Sequence, residues 1–418
     1  MTRVCLVTII GKLIRKATRF FGKGHGSALP GLVVEKLYPD YLARILNNLS
    51  YGVMVVSGTN GKTTTTKIIT ELMRSYDLKV FTNPSGSNFT RGVVSAALSE
   101  IKQGKLDADI AVIELDEAHA VHFVNTVRPR YSVLLNVLRD QLDRFGEIDK
   151  TAQLLQKVAE KTDKAVIMNY DDPRINKFKN STKAKVAWFG VGEKLRKKYK
   201  TDEELHSETA KYPLLNKAKD KSQITQLVDL KDNCATYKVG GRNYKVELQL
   251  FGQHNALNSA AAIAAVKTVM SSDFNCDKTI KALSGIKPAF GRGEIIEQDG
   301  REVRLILVKN PSGFQLSLGS SSLANSLIAI NDNYADGRDV SWLYDVNFSS
   351  LAKSNVVAVS GVRASDMALR LVYAGLKVDD INCDLDLSLK NFLSKTSGQD
   401  VQIFATYTAM LKLRSLLK

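Results

Sequence analysis

Val53-Met54-Val55-Val56-Ser57-Gly58-Thr59-Asn60-Gly61-Lys62-Thr63-Thr64 decides how this chain is read. An apolar run leads into a Gly-rich turn. A helical pattern follows from Thr65 to Tyr76, with Ile68, Ile69, Leu72 and Met73 as its apolar positions. Strand, tight turn and helix in that order make a phosphate cradle. The glycines let backbone N–H groups turn inward, and the helix start adds partial positive charge. Gly58, Thr59, Asn60, Gly61, Lys62, Thr63 and Thr64 are therefore the candidate nucleotide-binding residues. Lys62 can reach terminal phosphates, and the Thr63 hydroxyl can ligate Mg²⁺. The common form of the motif wants Gly at position 56, where this chain has Val56.

The pattern continues beyond the loop. Strand-like runs at 110–113, 132–135, 165–168 and 186–189 alternate with helix-like runs such as 94–102 and 152–161. Alternation of this kind predicts an α/β fold with a parallel sheet covered on both faces. Ligands then bind at the carboxyl ends of the strands. From 193 to 245 the pattern breaks into charge, turns and a hairpin signal at Gly240-Gly241. An Ala-rich helix is expected over 255–270. Beyond Gly291-Arg292-Gly293 a second alternating block has strands at 305–308, 327–330, 356–359 and 401–404. The expected division is an N-terminal helical segment at 1–48, a central nucleotide-binding domain at 49–292 with a Lys-rich insert at 193–245, and a smaller α/β domain at 293–418.

Composition narrows the class. The 418 residues hold 59 Lys+Arg against 43 Asp+Glu, a formal charge of +16. That suits anionic partners, although solvated surface lysines, many of them within 194–221, are the simpler explanation. No aromatic-basic stripe or finger motif is present, so no nucleic-acid partner is predicted. Cys5, Cys234, Cys276 and Cys383 are dispersed, which fits a reducing cytoplasm and no disulfide framework. Near the N-terminus, Leu6, Ile9, Ile10, Leu13, Ala17, Phe20 and Phe21 fall on one helical face. Lys12, Arg15, Lys16 and Arg19 lie largely on the other. Such a helix packs on the body of the protein, or alternatively lies on a membrane surface.

Glu114, Asp116 and Glu117 follow the strand at 110–113. A carboxylate beside a phosphate loop suits Mg²⁺, so Glu114 is chosen with Thr63 as metal ligand. The alternative is a solvated acidic loop. Asn169 ends the next-but-one strand, and Asn255 and Asn258 open the Ala-rich helix beside His254.

The short G-T-N-G-K-T-T loop resembles that of the Mur ligase and folylpolyglutamate synthase superfamily. Lys309-Asn310-Pro311-Ser312-Gly313, the run Asp336-Gly337-Arg338-Asp339-Val340-Ser341-Trp342-Leu343-Tyr344-Asp345, Ser360-Gly361-Val362-Arg363-Ala364 and Tyr407-Thr408-Ala409-Met410 narrow this. Together with Arg139-Asp140-Gln141-Leu142-Asp143-Arg144-Phe145-Gly146, they resemble the MurT family over nearly the whole chain. That resemblance implies a ligase subunit using ATP and Mg²⁺ to amidate the D-Glu α-carboxylate of lipid II. It also implies a heterodimer with a GatD-like glutaminase subunit, at the inner face of the plasma membrane. It further implies that Asn258 reads the adenine edge, that Arg292 meets the phosphates, and that Asp339 orients a catalytic His of the partner, with Lys62 and Glu114 at the ligase centre. Asp339 also suits a turn. Gln141 stands where Mur ligases carry a metal-holding His. The family's four-Cys zinc ribbon lacks its cysteines here, since only Cys234 lies nearby, so zinc is predicted to be absent. The rival readings are an amino-acid-adding Mur or folylpolyglutamate-type ligase and a non-catalytic ATP-binding scaffold.

Overall fold

The computed structural model describes residues 3–21, 28–83, 89–102, 104–139, 148–199, 201, 204, 224–250, 252–288, 292–319 and 325–417. Among the described residues nine strands form one sheet: β1 Gly52–Ser57, β2 Val80–Thr82, β3 Ile110–Glu114, β4 Tyr131–Leu134, β5 Ala165–Asn169, β6 Lys185–Val191, β7 Ile224–Lys231, β8 Cys234–Val239 and β9 Arg242–Glu247. Their order is β2-β3-β1-β4-β5-β6-β7-β8-β9. Pairing is parallel from β2 to β7 and antiparallel across β7, β8 and β9. The sheet grows away from β1 in both directions, with β3 on one side and β4 on the other. This is the point where an α/β sheet opens a crevice beyond its carboxyl ends.

β1 is buried along its whole length, as expected of a strand covered on both faces. Its side chains alternate between two cores. Met54 and Val56 join Ile68, Leu72 and Ile263 on one face. Val53 and Val55 join Val93, Leu98 and Phe123 on the other. The helix Gln253–Met270 is buried at Ala260, Ala261, Ala262, Ala264 and Ala265, and these small side chains let it lie close to the sheet and to the helix Lys62–Arg74.

Among the described residues a second sheet of six strands contains β10 Arg292–Gln298, β11 Arg301–Leu307, β12 Asn325–Ala329, β13 Val356–Ser360, β14 Asp380–Asn382 and β15 Val401–Ala405. Its order is β10-β11-β15-β12-β13-β14, parallel except for the β10–β11 hairpin. One face packs on Phe314, Trp342 and Phe348, the other on Phe392, Met410 and Leu413. The fold is α/β with two largely parallel sheets.

One expectation needs correction. The stretch 193–245 is not wholly an insert, because β7, β8 and most of β9 fall within it and extend the nucleotide-binding sheet. Gly240 and Gly241, at φ +57° and +85°, make the β8–β9 turn. Residues 205–223 lie outside the described residues. The N-terminal helix, Arg3–Phe21, packs on the body, but not through its most apolar face. Val7, Thr8 and Gly11 are buried, whereas Leu6, Ile9 and Leu13 face outward. The reason is local. Gly11 has no Cβ and sits close to Val34 and Leu98, where a Cβ would come within 2.7 and 2.8 Å. Thr8 satisfies its hydroxyl through Val4 O at 2.7 Å and Tyr41 at 2.9 Å.

Candidate active site

The phosphate loop joins β1 to the helix Lys62–Arg74, which starts at Lys62, three residues earlier than the apolar periodicity suggests. Gly61 makes the entry at φ +89°, and a Cβ there would collide with the amide oxygen of Asn258. The loop is held from outside by Asn136, just past β4. Asn136 O accepts the Thr59 N–H at 3.0 Å, and Asn136 Oδ1 accepts the Asn60 N–H at 2.9 Å. Its Nδ2 donates to Asn60 O at 3.0 Å. Asn136 was not among the candidate residues. Its only sequence signal is that it follows the strand next to the loop's own strand.

Lys62 folds back over the loop. Its Nζ donates to Gly58 O at 2.7 Å and lies 3.2 Å from Asp116 and 3.5 Å from Glu117. Thr63 Oγ1 donates to Glu114 Oε1 at 2.8 Å. Glu114 is fixed at the end of β3 by a reciprocal pair. The Asn83 amide donates to Glu114 O, and Asn83 Oδ1 accepts the Glu114 N–H, both at 2.9 Å. A hydroxyl and a carboxylate oxygen in contact beside a phosphate cradle suit Mg²⁺, which takes few protein oxygens and completes its shell with phosphates and water. Among the described residues no three His, Cys, Asp or Glu side chains gather into an all-protein metal cage. Gln141 lies outside the described residues.

A crevice of about 210 Å³ opens beside the loop, between the two sheets. Asn60, Asn169, Asn258, Asp171, Arg304 and Lys309 are among its lining residues. Asn169 is anchored by donating to Leu135 O at 2.9 Å, and Asn255 accepts from Asn258 at 3.4 Å. Burial pushes the Asp171 carboxyl up to about 6, although the Val191 N–H bonds it at 2.7 Å. Asn60 and Asn310 exchange two amide hydrogen bonds, 3.0 and 3.3 Å, and so tie the phosphate loop to the second sheet. Asn310 was also missed as a site residue, since nothing local in a sequence marks a partner 250 positions away. The Arg292 side chain lies outside the described residues. Glu294, two residues on, is held by Arg414 through two 2.8 Å bonds.

Asp339 does not line this crevice. It sits in the loop after β12, where Oδ1 accepts the Ser341 N–H at 2.8 Å, and it is half-buried. The surrounding rim is rigidly built. Asp336 accepts both the N–H and the hydroxyl of Thr408, at 2.7 and 2.6 Å, and Arg363 grips Asp332 at 2.8 and 3.0 Å. In the same domain Tyr334, Val362, Val372 and Tyr373 present exposed apolar surface.

The sequence matches the Mur ligase middle domain over residues 56–266 and the MurT ligase C-terminal domain over residues 307–410. It is 31% identical to a lipid II isoglutaminyl synthase (glutamine-hydrolyzing) subunit MurT of Streptococcus pneumoniae, across 99% of this chain and 97% of that protein. This chain belongs to the MurT family. The equivalent subunit from Staphylococcus aureus is 29% identical over 88% of this chain and 87% of its own length. The fold also matches a solved MurF ligase from Thermotoga maritima in complex with ADP, with a TM-score of 0.70 and 18% identity over 93% of this chain and 83% of that one. As a MurT-family member with a Mur ligase fold, the chain is an ATP-dependent ligase.

Proposed function

We propose that this chain is the ligase subunit that amidates the D-Glu α-carboxylate of lipid II to D-isoglutamine. The carboxylate oxygen attacks the γ-phosphorus of ATP and ADP leaves. Ammonia then attacks the carbonyl of the resulting acyl phosphate, and inorganic phosphate departs. Gly58 to Thr64 cradle the phosphates through backbone N–H groups, and Lys62 exchanges Asp116 and Glu117 for phosphate oxygens. Mg²⁺ held by Thr63 and Glu114 would draw charge from the γ-phosphate. Asn169 and Asn258 line the nucleotide side of the crevice, with Asn255 bonded behind Asn258, and the family resemblance assigns Arg292 to the phosphates.

Ammonia comes from a partner glutaminase, since free ammonia is scarce near neutral pH. Asp339 then orients that partner's catalytic His across the interface. Its partial exposure, its position beside the Asp336–Thr408 and Arg363–Asp332 contacts, and the exposed apolar residues of the same domain support docking of a second subunit there.

The observation that carries the reading is the Lys62, Thr63 and Glu114 cluster in a chain whose second sheet is of the MurT type. The test is reconstitution with a co-encoded glutaminase, ATP and lipid II. Glutamine should support amidation only when both chains are present. Incorporation of a whole amino acid instead of an amide nitrogen would establish the rival ligase reading.

A further inference from the structure

The N-terminal helix buries one face and leaves an apolar one uncovered. Val7, Thr8 and Gly11 are packed against protein, while Leu6, Ile9 and Leu13 are 48%, 47% and 62% exposed. Their spacing of i, i+3 and i+7 puts the three on one side of the helix. Leu29 and Leu37 of the adjoining helix Ala28–Leu37 are also exposed. A contiguous apolar row left in water marks a surface that something covers.

Charge identifies the cover. Arg3–Phe21 carries Arg3, Lys12, Arg15, Lys16 and Arg19 and no acidic residue. Lys12 lies one turn beyond Ile9, and Lys16 one turn beyond Leu13, both on the exposed surface. Lys12 also donates to Ile101 O at 2.6 Å, which fixes its position. A second copy of the chain would bring the same acid-free basic helix against this one, and like charges would oppose the contact. An anionic bilayer offers both an apolar layer for Leu6, Ile9 and Leu13 and negative headgroups for the lysines. The whole chain, at +16, is drawn the same way.

We infer that this helix docks the protein on an anionic lipid surface, lying in the membrane plane with Leu6, Ile9 and Leu13 inserted. Among the described residues no helix is long and apolar enough to cross a membrane, so the contact is peripheral. Packing of Val7, Thr8 and Gly11 holds the helix formed before it meets lipid, so binding need not spend free energy ordering it. The inference stands on the helix alone and does not require the ligase reading.

The test uses full-length protein and sedimented vesicles without any stem-peptide lipid, so its failure is separable from failure of the amidation assay. The protein should bind vesicles of phosphatidylcholine and phosphatidylglycerol in equal parts, ignore pure phosphatidylcholine, and release as salt rises. Leu13→Glu should lower binding at least about tenfold, and Lys16→Ala by about fivefold, with melting temperatures unchanged because both side chains are exposed. The wild-type comparison alone keeps the proposal falsifiable if a variant folds poorly. No binding to the mixed vesicles, or equal binding by the variants, overturns it. So does a vesicle-independent dimer that Leu13→Glu dissolves, which would assign the face to a second copy.

Discussion

Lys62→Met should separate two roles of one side chain. The variant keeps the stem but removes the ammonium 3.2 Å from Asp116 and 3.5 Å from Glu117. Lys62 is 5% exposed and Glu117 1%, so a carboxylate is left behind with little access to water. Losing one partner of a buried ion pair costs about 3–5 kcal/mol. The lost bond to Gly58 O, at 2.7 Å, belongs within that figure and is not added to it. The nucleotide-free variant should therefore unfold at a clearly lower denaturant concentration. Adding Glu117→Gln removes the stranded charge, and the double variant should regain on the order of 1–3 kcal/mol relative to additivity. ATP turnover should stay reduced by orders of magnitude in both variants, because no cation compensates the developing phosphate charge. The assays are denaturant titration and phosphate release under identical conditions. A single variant destabilised by less than about 1 kcal/mol, or strict additivity in the cycle, would refute the buried-pair argument. Near-normal turnover would refute the phosphate-loop assignment.

Asp339→Asn should keep the turn to Ser341 yet lose up to about 10⁴-fold in glutamine-driven amidation while ammonium-driven amidation survives; equal losses would place Asp339 in the fold. Asp171→Asn should flatten the acid-side stability profile. With a pKa raised from 3.8 to about 6, the folded chain keeps a proton that the unfolded chain has released. The wild type therefore loses stability as pH rises from near 4 through 6, by on the order of 2–3 kcal/mol, and melting curves across that range should show the slope vanish in the variant. Gly61→Ala forces a Cβ onto Asn258 at φ +89° and should cost at least about 1–2 kcal/mol in stability along with nucleotide affinity, read by melting and calorimetry. Elemental analysis of the purified protein should find no stoichiometric zinc, and about one zinc per chain would contradict the reading of its cysteines.

The sheet-forming runs were legible because buried parallel strands are written as plain apolar blocks, such as Val53 to Val56 and Ile110 to Ile113. The phosphate loop was legible because its glycines and lysine have backbone and charge requirements that few other contexts share. The start of the following helix was less so, because Gly61 in the left-handed region, and not apolar spacing, sets it. Which face of the N-terminal helix packs was not legible, for a related reason. Hydrophobicity marks Leu6, Ile9 and Leu13, whereas close approach selects Gly11 and Thr8. β7 was obscured by the charged stretch ahead of it, whereas Gly240-Gly241 marked the β8–β9 hairpin. Asn136 and Asn310 act by hydrogen bonds to Asn60 from 76 and 250 residues away, and no local pattern records that.

The central claim is activation of a substrate carboxylate by ATP followed by its capture with ammonia. Lipid II carrying a heavy-oxygen label in the D-Glu α-carboxylate tests it most directly, with this chain, the proposed glutaminase subunit, ATP and glutamine. The account predicts one labelled oxygen in inorganic phosphate for each D-isoglutamine formed, with ADP as the nucleotide product. Amidation with unlabelled phosphate, or with label in AMP, would contradict it.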